Sequence, residues 1–540
     1  MIEFQHKLPT RYAEGRNCGT YNNRELGFPS ILTTHDPDLG LFIQRLRTNI
    51  FADRSLVFID GKILVTDKNW IRDHVHVMKA MRHWEYDLSS FLNFIIDTQR
   101  EDGQFFELIK QLDDPHWSYV SEDCSVMYPE DNLALTRLEL EADIEYLVVE
   151  GAVYLYQTTG DDEWLRSVLP KLEKGINYIT SDPKRWDAER GLVKRPFTID
   201  TWDFTPMPDS ATNRRIQEHT PMSIMHGDNS GVYQAMHQLA WLNRRLGNEY
   251  AAKAWEARAE KLRKNIFKHL WNGKFFIHQL HLNHQGLDDK ENERLSLSNT
   301  YDINRGLTSF SEARSIIEEY QKRRETTALF AEWFSIDPPY EEFAAFKKGK
   351  YVNGAISPFT AGELAKAAFN HGYEAYGWDI IQRFMKLVKR DGDPYFLYYP
   401  DSTPQPHGGP SAWGAAAFIS AIDEGLAGIC DIGVNYDAIR FSPKFPVTHY
   451  TELRYLTGYE VSQKMVDVRY ILTEIGMRYD VYSPAKKIDA HILLPVGKRC
   501  RTLLVNGKES TFAEEKIADS DYVNITVTAN GKISFEILFA

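Results

Sequence analysis

Two short segments of this chain pair an aromatic plane with a carboxylate. Thr201-Trp202-Asp203-Phe204 lies in a polar, proline-rich stretch between strongly helical hairpins, and Asn69-Trp70-Ile71-Arg72-Asp73 repeats the theme early in the chain. An indole face stacks on a sugar ring, and its apolar bulk keeps a neighbouring carboxyl protonated near neutral pH. That is what acid-catalysed sugar chemistry requires. Asp203 is the expected proton donor, with Trp202 and Phe204 desolvating it; Asp200 is the nearest competitor. Arg72 and Asp73 form a polar pair suited to ring hydroxyls of a terminal sugar, and Trp70 adds a stacking face. The same pair equally suits a salt bridge at a helix start.

The elements that must position these residues are mostly helical. A helix is expected over about 38–51, then an Asp60-Gly61 hairpin between two β-rich runs within 56–65. From about 67 to 428, helices of two kinds alternate. Residues 140–157, 231–246, 358–369 and 411–429 are apolar or small nearly all round, as in helices buried on every side. Residues 163–179, 249–270 and 374–388 keep a single apolar face. The joints Thr159-Gly160-Asp161, Leu246-Gly247-Asn248 and His371-Gly372-Tyr373 each offer a glycine to end one helix. Buried and exposed helices in turn predict a two-layered ring of hairpins. After about Cys430 the period changes to two, with Asn506-Gly507 and Asn530-Gly531 turns, which predicts a small β-sandwich. The expected domains are an N-terminal segment (1–66) packed on the barrel, the helical barrel (67–429) and the β-domain (430–540).

Composition excludes several functions. A net charge of −13 repels phosphate backbones, so nucleic acid is not an expected partner. No run of about 18 apolar residues appears, so no membrane span is expected. The first residues lack an apolar leader core, which gives a cytoplasmic expectation, or a secreted one if a leader was removed. The 4 cysteines, Cys18, Cys124, Cys430 and Cys500, are far apart and lack C-x-x-C spacing, so free thiols are expected. No HExxH, phosphate-loop or dinucleotide fingerprint is present, so neither metal nor cofactor is expected. Pro406-His407-Gly408-Gly409-Pro410 exposes backbone N–H groups that suit an oxyanion such as phosphate.

Several motifs, in order, resemble those of the six-hairpin (α/α)6-barrel glycosidases. Trp70-Ile71-Arg72-Asp73 is similar to the W-x-R-D that grips the terminal sugar in glucoamylase-like members. Gly191-Leu192 followed by Thr201-Trp202-Asp203 resembles the segment carrying the general acid in debranching enzymes. Asp228-Asn229 resembles a glutamate–asparagine pair opening an inner helix. Tyr351-Val352-Asn353-Gly354 with Ser357-Pro358 resembles Y-x-N-G-x-x-W-P along the cleft, with Ser357 where tryptophan is usual. Gly409-Pro410-Ser411-Ala412-Trp413 resembles the start of the last barrel helix.

The resemblance implies a mainly α fold, an (α/α)6 toroid followed by a small β-sandwich. It also implies an exo-acting, inverting glycoside hydrolase working on a short oligosaccharide. Substrate contacts are expected from Trp70, Arg72, Asp73, Trp202, Asp228, Asn229, Asn353 and Trp413. The loop before the last inner helix lacks the usual glutamate. Asp401 is the expected base from its position there, with Glu332 and Glu363 as rivals. Two other enzyme readings stay open: an inverting phosphorylase, in which phosphate replaces water, and a polysaccharide lyase on a similar toroid.

Overall fold

The computed structural model describes residues 28–33, 37–113, 124–203, 205–206 and 215–540; Phe204 and Cys18 lie outside the described residues. Twelve α-helices occur there: α1 (Asp38–Asp53), α2 (Ile71–Met81), α3 (Ser90–Asp97), α4 (Ile144–Thr159), α5 (Asp162–Ile179), α6 (His226–Arg245), α7 (Glu249–Leu270), α8 (Ser298–Asn304), α9 (Phe310–Thr326), α10 (Pro358–Asn370), α11 (Glu374–Asp391) and α12 (Ala412–Ser420).

The two kinds of helix have two environments. Helix α4 buries residues around its whole circumference, from Glu145 to Val149 and on to Tyr156. Helix α5 buries one stripe, including Leu165, Val168, Leu172, Ile176 and Ile179. The even-numbered helices touch in succession from α2 to α12, and α12 packs back on α2. Each hairpin returns through an odd-numbered helix, so the even-numbered helices bring their N-terminal ends to one rim. Local chemistry sets the joints. Gly160 ends α4 at φ 67, a left-handed conformation that glycine adopts without a Cβ clash, and Asp161 then caps α5 by accepting from the Trp164 N–H. Ser357, at the motif position where tryptophan is usual, caps α10 by accepting from the Thr360 N–H, with Pro358 in the first turn.

The β-rich end forms two sheets. Seven strands lie in one and five in the other. Phe441 of the smaller sheet meets Tyr479 and Phe535 of the larger, at ring-centroid distances of 5.6 and 6.3 Å. Alternation along Gly476–Ser483 buries one face and leaves the other partly open, as the period of two predicts.

The N-terminal segment meets both the sheets and the helices. Ser30–Thr33 pairs antiparallel with Glu452–Gly458, adding an edge strand to the larger sheet, and also packs on α1. Helix α1 packs on α11 and α12 and so belongs with the helical layers. The last inner helix is also shorter than its apolar run. It passes at Ala421 into a π-helical segment, Ala421–Leu426. There Glu424 pairs with Arg82 at 2.5 Å and with Lys366, while Asp423 accepts from the Tyr455 hydroxyl at 3.1 Å, tying helices to sheet.

Among the described residues no helix is long and apolar enough to cross a membrane, and no group of three or more His, Cys, Asp or Glu is placed to hold a metal ion. Cys430 and Cys500 are free thiols, and Cys124 is buried.

Candidate active site

A cavity of about 340 Å³ opens at the rim where the inner helices begin. Lys68, Trp70, Arg72 and Asp73 reach it from the start of α2, Tyr146 from α4, Ser298 and Tyr301 from α8, and Arg305 from just past its end. Phe359 comes from α10 and Trp413 from α12. Loops supply Thr201, Trp202 and Asp203 from one side, then Tyr351, Phe396, His407 and Gly408. The volume suits one sugar ring with part of its leaving group.

The walls are aromatic and mutually braced. Trp202 is buried, with Tyr351 at 5.1 Å and Phe396 at 5.8 Å between ring centroids. Trp413 stacks on Phe359 at 4.8 Å and on His76 at 4.3 Å, and its indole N–H donates to the Tyr301 hydroxyl at 3.0 Å. Ser411 fixes this position by capping α12 through the Trp413 N–H.

The carboxylates sit in that apolar surround. Burial lifts the Asp203 carboxyl above its ordinary range, although the Arg72 and Arg195 guanidiniums pull it down. Burial likewise lifts Asp73 to about 6, against Lys68 and Arg72, and the nearby Asp203 carboxylate adds to the rise. Asp203 therefore meets two requirements for a proton donor: it lines the cavity and holds its proton more tightly than a free carboxyl. Asp200 does not compete. It accepts from the Thr201 N–H at 2.7 Å, the Ser298 N–H at 3.1 Å and the Ser298 hydroxyl, and these bonds with nearby His226 hold it ionised below its usual range despite burial.

Arg72 lines the cavity and is also anchored behind it. Its Nε and Nη2 donate to Asp143 at 2.5 and 3.0 Å, and it pairs with Glu141. The salt bridge is thus formed, and the same side chain still lines the cavity.

Several expected contact residues lie one layer back. Asp228 is buried outside the cavity lining and accepts from Arg195 at 3.3 Å, while Arg195 clamps the Trp202 carbonyl at 2.6 Å. Asn229 holds the Val193 N–H and C=O at 2.8 and 2.9 Å. Asn353 pins Tyr340 and Phe346 by their backbones. None of the three lines the cavity; they brace the loops that do.

The structure does not bring Asp401 to the site. Its turn faces outward, its exposed carboxylate accepts from the Thr403 N–H at 2.9 Å, and that bond holds it below its usual range. Both rivals are engaged elsewhere: Glu332 with Arg383 and Tyr376, Glu363 with Lys79 at 2.6 Å and Asn304 at 2.7 Å. Asp401→Asn is accordingly expected to keep activity within about threefold of wild type, since surface changes away from a site cost little. Initial rates of the two proteins on one substrate check this.

Sequence reasoning missed His76, Tyr146, Tyr301 and Arg305 as cavity residues. Tyr301 and Arg305 stand four apart beside a short helix, a spacing that shares one face. That signal was available, but a seven-residue helix offers no sustained apolar period.

The family of mannosylglycerate hydrolase MGH1-like glycoside hydrolase domains matches residues 68–411. No curated protein matches in sequence. Among solved structures, a GH78 rhamnosidase of Bacillus sp. GL1 is 14% identical at a TM-score of 0.59, covering 86% of this chain and 42% of its own. An α-L-rhamnosidase from Dictyoglumus thermophilum is 13% identical at 0.57, covering 94% and 50%. A GH63 mannosylglycerate hydrolase from Thermus thermophilus, in complex with glucose, is 14% identical at 0.49, covering 70% and 99%. The chain thus spans half or less of the length of these two rhamnosidases.

Proposed function

The chain belongs to the MGH1-like glycoside hydrolase family, and from that premise we propose that it is an exo-acting, inverting hydrolase of short glycosides built on an (α/α)6 toroid. The observation that carries this reading is Asp203: a carboxyl with raised proton affinity in an aromatic cavity that also holds Arg72 and Asp73. Asp203 gives its proton to the leaving oxygen. Arg72 and Asp73 bind hydroxyls of the terminal ring, and Trp70, Trp202 and Trp413 enclose it. One-ring volume favours cleavage at a chain end over binding along a polymer.

The test is a panel of aryl α- and β-glycosides, disaccharides, α-rhamnosides and mannosylglycerate, assayed with and without phosphate. The rhamnosides and mannosylglycerate follow from what the similar proteins are named for. Free sugar of inverted anomeric configuration, seen early by NMR and independent of phosphate, supports the reading. Sugar 1-phosphate formed only with phosphate replaces it with phosphorolysis. An unsaturated uronate product replaces it with a lyase.

A further inference from the structure

An inverting hydrolysis needs a second group, one that takes a proton from water. Among the described residues lining the cavity, four side chains besides Asp203 and the tyrosines could titrate into that role or near it: Lys68, Asp73, His76 and His407. Lys68 is cationic and paired with Asp53 at 3.6 Å. His76 lies buried beneath Trp413, and burial with the nearby cations Lys79, Arg305 and Arg72 holds it well below its ordinary range, so it cannot accept a charge. Burial lifts Asp73 to about 6 against Lys68 and Arg72, but its place beside Arg72 at the start of α2 suits it to binding hydroxyls.

His407 is placed differently. It stands exposed at the mouth, where water enters, on the same loop whose Asp401 turns away. Its imidazole packs on Tyr351 at 4.1 Å and makes no hydrogen bond among the described residues. The loop holds it firmly. Buried Gln405 accepts from the Tyr351 N–H at 3.0 Å and donates to the Gly349 carbonyl at 2.9 Å, and the Phe396 N–H donates to the Gly409 carbonyl at 2.8 Å. The turn depends on glycine next to the histidine: Gly408 has φ +80, and a Cβ there would lie 2.6 Å from the Phe396 ring.

We propose that His407 is the general base: it takes a proton from the attacking water as Asp203 hands its own to the leaving oxygen. The water oxygen bonds to the anomeric carbon, the bond from that carbon to the leaving oxygen breaks, and the leaving oxygen departs as a hydroxyl. One proton enters His407 and one leaves Asp203, so the pair goes from neutral and neutral to cation and anion. The two side chains attract electrostatically once charged, which stabilises the transition state. Solvent then returns the proton from His407 to Asp203. The charged and titratable groups around the imidazole are Asp203, Lys350 and Tyr351, with Asp73 and Arg72 beyond Tyr351. Partial desolvation of the ring against Tyr351, with Lys350, pulls its proton affinity below the ordinary histidine range against the pull of Asp203, so the imidazole stays neutral to lower pH than a free histidine.

This proposal rests on Asp203 acting as acid in a glycoside hydrolase, and the experiment separates the two claims. Glycosyl fluorides are assayed with wild type, Asp203→Asn, His407→Ala and Asp73→Asn, with and without sodium azide. Fluoride leaves with little help from a proton donor, so Asp203→Asn should lose far less on fluorides than on O-glycosides. His407→Ala should lose about 10²–10³-fold in kcat with KM within about threefold, as removal of a general base does. Azide should restore its turnover and yield a glycosyl azide of inverted configuration. The acid-side limb of the kcat/KM profile should vanish in the same variant. His407 is exposed on a surface turn, so a folding failure is not expected, and circular dichroism confirms it. A His407→Ala rate within threefold of wild type, a change confined to KM, or a kcat loss that azide leaves untouched overturns the proposal and spares the acid. So does azide rescue of Asp73→Asn alone. Equal losses by Asp203→Asn on both substrate classes, or a wild type inert towards every fluoride, overturn the reading beneath it.

Discussion

Asp203→Asn is expected to fold as wild type does and to lose about three decades of kcat on an O-glycoside, within the 10²–10⁴ that general-acid catalysis supplies. The amide keeps the shape of the side chain but has no proton to give. The pH dependence gives a second reading of the same residue. A donor works only while protonated, so kcat/KM falls as pH rises through the Asp203 pKa. Burial places that fall above the ordinary carboxylate range, against Arg72 and Arg195. Asp203→Asn should remove the limb along with the rate. Stability should move the other way. A carboxyl whose folded pKa is raised favours the fold fully below its unfolded pKa of about 3.9 and loses that contribution as pH rises through the folded value. At neutral pH the neutral amide relieves this cost, so the Tm of Asp203→Asn should equal or exceed that of wild type. A folded variant with near-normal turnover removes Asp203 from the role; a sharply lower Tm assigns it to structure instead.

The helices and the Trp202-Asp203 segment of the cavity wall were legible in the sequence because their signals are local. The apolar surface of α4 and the single stripe of α5 are set by residues within one helix, and Gly160 with Asp161 marks the joint between them. Trp202-Asp203 announces itself by adjacency. What failed was orientation. Asp228, Asn229 and Asn353 sit in the motifs that build the site, yet their side chains turn to backbone and to Arg195, and nothing in a motif says which way a side chain points. Asp401 and His407 share one loop, and only the structure separates them. The Asp401 turn closes on Thr403, while Gln405 and the two glycines hold His407 at the mouth of the cavity. The strand Ser30–Thr33 was illegible for a related reason: its partner lies more than four hundred residues away, at Leu453–Leu456.

Arg72→Ala should cost both stability and the pH profile, and the second effect tells whether the site is wired as described. Removing the guanidinium leaves Asp143 and Glu141 buried without their shared partner, although Arg195 remains 3.6 Å from Glu141. Stranding one side of a buried ion pair costs about 3–5 kcal/mol, so denaturant unfolding should shift to a clearly lower midpoint. Asp143 reports the loss directly: Arg72 is the strongest of the cations that hold it below its ordinary range despite burial, so its proton affinity should rise in the variant. The same guanidinium also lowers the Asp203 pKa. Without it Asp203 should hold its proton to higher pH, moving the alkaline limb of kcat/KM upward even as KM rises from the lost hydroxyl contact. A purely structural arginine would lower the midpoint and leave that limb in place. Arg72→Lys sharpens the distinction. It keeps a positive charge but not the planar fork that binds Asp143 through two nitrogens, so it should recover much of the limb's position and little of the stability. An alkaline limb unmoved in Arg72→Ala would break the electrostatic link between the start of α2 and the donor, and with it the claim that these distant segments act as one site.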